Sequence, residues 1–105
     1  MPPIPSASST RSLGPNQPPI VWVGGTLTAL RPDRLELKES FGSVVTLRRL
    51  GSGATVFFEI EDGIWKRADA RAARVQLRAC VETLMSGKIL LALRVFLGAD
   101  CGPAA

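Results

Sequence analysis

From Ile20 onward the apolar residues recur at every second position, the period of a half-buried β-strand, and they keep to it through most of the chain. In the first run Val21, Val23, Gly25, Leu27 and Ala29 fall on one face, with Trp22, Thr26 and Thr28 on the other. Gly24 and Gly25 inside this run predict a bulge or sharp bend, which a strand coiling round a small barrel requires. Arg31-Pro32-Asp33 then predicts a turn, with Pro at a favoured turn position.

Arg34 to Lys38 and Val45 to Arg48 alternate cleanly on either side of Ser40-Phe41-Gly42. A three-residue loop with Gly42 in the left-handed position sets Leu37 opposite Val45 and Leu35 opposite Leu47. The same register sets Arg34 opposite Arg48 on the exposed side, an unfavourable like-charge pair unless Glu36 or an external anion screens it. Further on, Val56, Phe58 and Ile60 alternate with Phe57, Glu59 and Glu61 up to Asp62-Gly63, a strong signal for a two-residue hairpin. That turn sets Ile60 opposite Trp65 and Glu59 opposite Lys66, which makes Trp65 a core or core-edge residue. Gly51-Ser52-Gly53 reads as a flexible connection; neither the Lys-Ser/Thr pair nor the helix of a phosphate cradle follows it.

The Ala- and Arg-rich run from Arg67 to Arg74 predicts one or two helical turns over 68–73. Its continuation, Val75 to Met85, reads as a helix with Leu77, Val81, Leu84 and Met85 on one stripe, or as a strand with Val75, Leu77, Ala79, Val81 and Thr83 on one face. The strand takes precedence, because Ile89, Leu91, Leu93, Val95 and Leu97 alternate as its partner after a Ser86-Gly87-Lys88 turn.

The order of these elements predicts an all-β fold, a small five-or-six-stranded antiparallel OB-like barrel with one short helical connector. Closure removes exposed edges, which suits a strand-rich chain of 105 residues, long enough for one core and too short for two. Residues 20–105 are therefore expected to form a single domain. Residues 1–19 hold six Pro and four Ser and read as a disordered or extended tail. They lack the apolar run of a signal peptide. No stretch has the length of a membrane span, since Ile89 to Leu97 is short and contains Arg94.

The stretches GGTLTALRPDRLELKESFGSVVTL (24–47) and KILLALRVFLG (88–98) carry a glycine-containing first strand, a turn, a Leu-x-Leu strand, a glycine turn and a late apolar strand. In this pattern the chain resembles the small OB-like domains of unknown function found in bacterial envelope and secreted proteins, over roughly residues 21–98. The resemblance implies the barrel fold and transfers no catalytic residue. The cysteine pair and the Asp62-Gly63-Ile64-Trp65 hairpin depart from it.

Composition narrows the chemistry. The chain has no His and no Tyr, which excludes the Ser-His-Asp triad, the Cys-His dyad and every His-containing zinc site. No cofactor or metal site is expected. Cys80 and Cys101 do not have the C-x-x-C spacing. A reversal at Gly98 would bring their sulfurs together, and the resulting loop would stabilise the fold by roughly 3 kcal/mol. Such a disulfide agrees with an oxidising, extracytoplasmic location; two unrelated thiols are the alternative.

Net charge is +4, with the basic residues spread along the chain. By analogy with OB-type proteins, a ligand surface falls on the outer face of the strands from 34 to 48, with Arg34, Lys38, Phe41 and Arg48 as its candidates. Acidic residues (Glu36, Glu39, Glu59, Glu61) lie among the few aromatic candidates for base stacking, an arrangement that suits a protein or glycan partner better than nucleic acid. Glu59 with Glu61 is the sole carboxylate pair offered to an enzymatic reading, and it reads equally as a solvated edge. Trp22 and Phe57, read as exposed, are candidates for a homo-oligomer contact. The expectation is a non-catalytic extracytoplasmic binding or assembly module; a cytoplasmic single-stranded nucleic-acid-binding protein is the alternative.

Overall fold

A computed structural model of the chain describes residues 20–51 and 54–101. The expectations for the tail, for Ser52-Gly53 and for the last four residues lie outside these. Seven strands occur in chain order: β1 (Ile20–Leu30), β2 (Arg34–Lys38), β3 (Val44–Arg49), β4 (Val56–Glu61), β5 (Ile64–Ala68), β6 (Arg78–Ser86) and β7 (Ile89–Leu97). A 3-10 turn at Ala70–Ala72, capped by the Asp69 carboxylate accepting from Arg71 N–H at 2.9 Å, links β5 to β6.

Five strands close into a barrel. β1 pairs with β2 and β6, β2 with β3, and β6 with β7, all antiparallel, and a parallel β3–β7 contact seals the ring. The molecule is thus all-β and OB-like with one short helical connector. It departs from an all-antiparallel barrel at β7, whose one edge is shared. β3 pairs with Leu91 and Ala92, and β4 continues along the same edge with Arg94, Val95 and Phe96, both running parallel to it. Thr55 ties this junction together: its hydroxyl donates to Ala92 C=O at 2.8 Å and accepts from Leu50 N–H at 2.8 Å.

The hairpins have the register the alternation predicts. Leu37 faces Val45, Leu35 faces Leu47 and Arg34 faces Arg48, with Gly42 at φ +92° in the loop. Ile60 faces Trp65 and Glu59 faces Lys66 across Asp62-Gly63, whose positive φ angles of 55° and 77° give the twist that a two-residue hairpin needs. Residues 78–86 form a strand rather than a helix, and a turn at Val75-Gln76 leaves Val75 exposed instead of on the core face.

Two irregularities redirect side chains. The β1–β2 register shifts between Leu27 and Ala29, so Leu30 takes the inward place opposite Leu35 and Ala29 falls opposite Glu36. In the β6–β7 pair the shift falls between Glu82 and Thr83, leaving Leu93 without a partner. Leu90, Ala92, Val95 and Leu97 therefore pack in the barrel core, and Ile89, Leu91 and Leu93 do not join them as strict alternation expects. The core itself is Leu27, Leu35, Leu37, Leu47, Val81 and Val95, all fully buried; each such leucine contributes about 1.5–3 kcal/mol by leaving water.

The β1 glycines are explained by close approach, since the bulge lies beyond them. A Cβ on Gly25 would stand 2.5 Å from the Lys38 carbonyl oxygen, a backbone atom that cannot move without disturbing β2. Gly25→Ala is expected to destabilise the domain by about 1–3 kcal/mol, measurable by urea denaturation. A Cβ on Gly24 would lie 2.8 Å from Cys101 Cβ, so that glycine makes room for the C-terminal segment.

Candidate functional site

The residues expected to form a ligand surface lie along the β2–β3 hairpin but at opposite ends of it. Arg34 and Arg48 form the pair furthest from the loop, while Lys38 faces Val44 beside the loop that carries Phe41, itself 96% exposed. Four ladder steps separate the two ends, roughly 14 Å at strand rise. Arg34 lies 3.3 Å from Asp33 and 3.9 Å from Glu36, so carboxylates of the chain itself screen the like-charge pair. Among the described residues no carboxylate lies within ion-pair distance of Arg48. Arg48→Glu is therefore expected to raise stability slightly, by up to about 1 kcal/mol, seen as a higher melting temperature.

A second apolar cluster occupies the outer face of the sheet. Cys80, Phe96 and Ala99 are buried in it, with Trp22, Phe58, Trp65 and Cys101 packed against them. Phe96 is its centre, with ring centroids at 5.1 Å to Phe58, 5.2 Å to Trp65 and 6.1 Å to Trp22. Phe57 points the other way into the barrel core and is 3% exposed, so it cannot serve as an oligomer contact. Strand alternation has two buried faces to supply at this point, which is why both phenylalanines are covered. Trp22 is half-buried on the outer face and remains accessible.

After β7 the chain turns at Gly98 (φ +80°) and lays residues 98–101 over this cluster as a strap. The Cys80–Cys101 disulfide fastens it, with Cα atoms 5.0 Å apart and a sequence separation of 21. Gly98 N–H donates to Arg78 C=O at 2.6 Å, and the Arg78 guanidinium holds Asp100 at 2.6 Å. Beneath the strap's neighbours, Glu82 and Arg94 form a two-pronged ion pair at 2.8 and 3.1 Å, with Glu82 8% exposed and Arg94 stacked on Phe96.

Two open grooves result. The first, of about 380 Å³, runs between the strap and the β2–β3 loop and is lined by Trp22, Gly24, Glu39, Ser40, Phe41, Arg78, Asp100 and Cys101. It brings together Phe41, Trp22 and one cysteine of the pair, three residues the sequence marks out for separate reasons. The second, of about 520 Å³, lies at the β3–β4 junction and includes Arg49, Phe57, Arg67 and Asp69. Arg49 is already engaged there, donating to Arg31 C=O at 2.8 Å and standing 5.3 Å above the Phe57 ring. Glu59 and Glu61 line neither groove; both are exposed on the β4–β5 hairpin, where Glu61 lies 3.8 Å from Lys66.

The ion pairs Arg78–Asp100 and Glu82–Arg94 have no motif in the sequence. A hairpin register counted from Gly87 would set Glu82 against Leu93, and only the shift at Leu93 brings Arg94 across from it. No protein-family model, curated protein sequence or solved structure matches the chain.

Proposed function

We propose that this protein is a non-catalytic binding or assembly module that works in an oxidising, extracytoplasmic compartment and takes a protein or glycan partner. The observation that carries the reading is the disulfide-fastened strap, which borders a groove with aromatic walls. A small barrel gains stability from such a cross-link only where thiols stay oxidised. The groove offers stacking surface from Trp22 and Phe41 together with polar edges from Glu39, Ser40, Arg78 and Asp100. That mixture suits an amphipathic partner, and shape with a few placed polar groups supplies its selectivity. The resemblance to domains of bacterial envelope and secreted proteins points the same way. The outer face of β2 and β3 carries Arg34 and Lys38 interleaved with Glu36, and has no aromatic ring on the strands themselves. Single-stranded nucleic acid would need both stacking and a continuous basic track there.

Fractionation of the producing cells tests the reading. The chain is expected in the extracytoplasmic fraction. Recovery in the cytosol, with salt-sensitive retention on single-stranded DNA that Arg34→Glu and Arg48→Glu abolish, would overturn it in favour of nucleic-acid binding.

A further inference from the structure

The groove beside the strap has aromatic walls and an acidic rim, and the chain carries a segment of matching chemistry. Phe41 is 96% exposed, while Trp22 forms the opposite wall from β1. Glu39 lies on the rim, with no cation within ion-pair distance among the described residues. Asp100, by contrast, is already held by Arg78. The site is thus built for an extended apolar segment carrying one cationic side chain.

Residues 1–19 have that composition. They contain six prolines and one charged side chain, Arg11, followed by Leu13, Pro15 and Pro18. Prolines three apart match the repeat of a polyproline II helix, the form that docks in aromatic-lined grooves at low entropic cost. The segment also enters the domain on the correct side. Ile20, Trp22 and Gly24 alternate along β1 onto one face, and Trp22 and Gly24 line the groove. Nine residue steps separate Arg11 from Ile20, a span of up to about 28 Å when extended, against roughly 7 Å along β1 from Ile20 to Trp22.

We propose that this N-terminal segment folds back within the same molecule and occupies the groove, with Arg11 against Glu39 and Leu13 and Pro15 against Trp22 and Phe41. The tail then acts as a tethered occupant that a partner of the groove must displace. Effective concentrations for a tether of this length reach the millimolar range, so a weak contact suffices. The inference rests on the groove being a binding surface, and cell fractionation tests that reading separately.

Arg11 provides the test, because it is the only trypsin site in the first nineteen residues. The rate of release of peptide 1–11 is measured on the full chain and on full-length Phe41→Ala and Glu39→Gln, two changes outside both apolar clusters, with melting temperatures as a folding control. Release from the unaltered chain is expected to be at least about threefold slower than from either variant, at every protein concentration. Equal rates in all three would overturn the proposal. Protection that grows with protein concentration would also overturn it, since it would assign the groove to the tail of a second copy.

Discussion

Phe96→Ala is expected to lower stability by about 3–5 kcal/mol, the usual range for deleting a fully buried phenylalanine. The ring is completely shielded and touches three other aromatic rings, each contact adding to the burial itself. The barrel core of Leu27, Leu35, Leu37, Leu47, Val81 and Val95 lies on the other face and is left intact. Urea denaturation followed by tryptophan emission checks the magnitude, because Trp22 and Trp65 flank the deleted ring and report its loss directly. A cost below about 1 kcal/mol, typical of a surface substitution, would show that the outer cluster is not a second core.

Cys101→Ala is expected to cost about 3 kcal/mol through the entropy returned to the unfolded chain, given a sequence separation of 21 between the cysteines. For a domain of this size that corresponds to a fall in melting temperature of roughly 12–24 °C. Cys101 is the cleaner position to change, since it is half-exposed and Cys80 is buried at 1%. Calorimetry of the variant, and of the unaltered chain with and without a dithiol reductant, should give matching shifts. A reductant that leaves the melting temperature in place while the variant melts early would attribute the loss to packing at the strap instead of the cross-link.

Much of the barrel is legible in the sequence because strand period and turn chemistry agree there. Gly42 and Asp62-Gly63 fix two registers, and every pair they imply is found. Legibility fails where a single inserted residue reverses the facing of the rest of its strand. Leu93 on β7 leaves no compositional mark, since an apolar residue is acceptable on either side of a strand buried on both, and on β1 the shift at exposed Thr28 is hidden because Ala29 and Leu30 after it are both apolar. The same double burial hides Phe57, whose polar neighbours Glu59 and Glu61 suggest a solvent face that begins only beyond the end of β7.

The site is legible in its parts and not in its assembly. Phe41, Trp22 and Cys101 are separately conspicuous as a loop aromatic, an aromatic on the polar face of a strand and a terminal cysteine. They meet because Gly24 lets the strap approach β1 and the β2–β3 loop closes the other side. That convergence depends on contacts between segments far apart in sequence, which periodicity does not encode. Arg34 and Arg48 show the converse: their pairing is read correctly, yet Asp33 and Glu36 already screen Arg34.

The disulfide locks the strap over the aromatic cluster and makes it one wall of the groove. The most direct test of this lock is the intact mass of protein isolated from the producing cells without reductant, alkylated under denaturing conditions, with mapping of the Cys80–Cys101 linkage as the second step. No uptake of alkylating agent is expected until a reductant is added, with one cross-linked peptide joining the two cysteines. Two thiols that alkylate at once in the unreduced protein would contradict it.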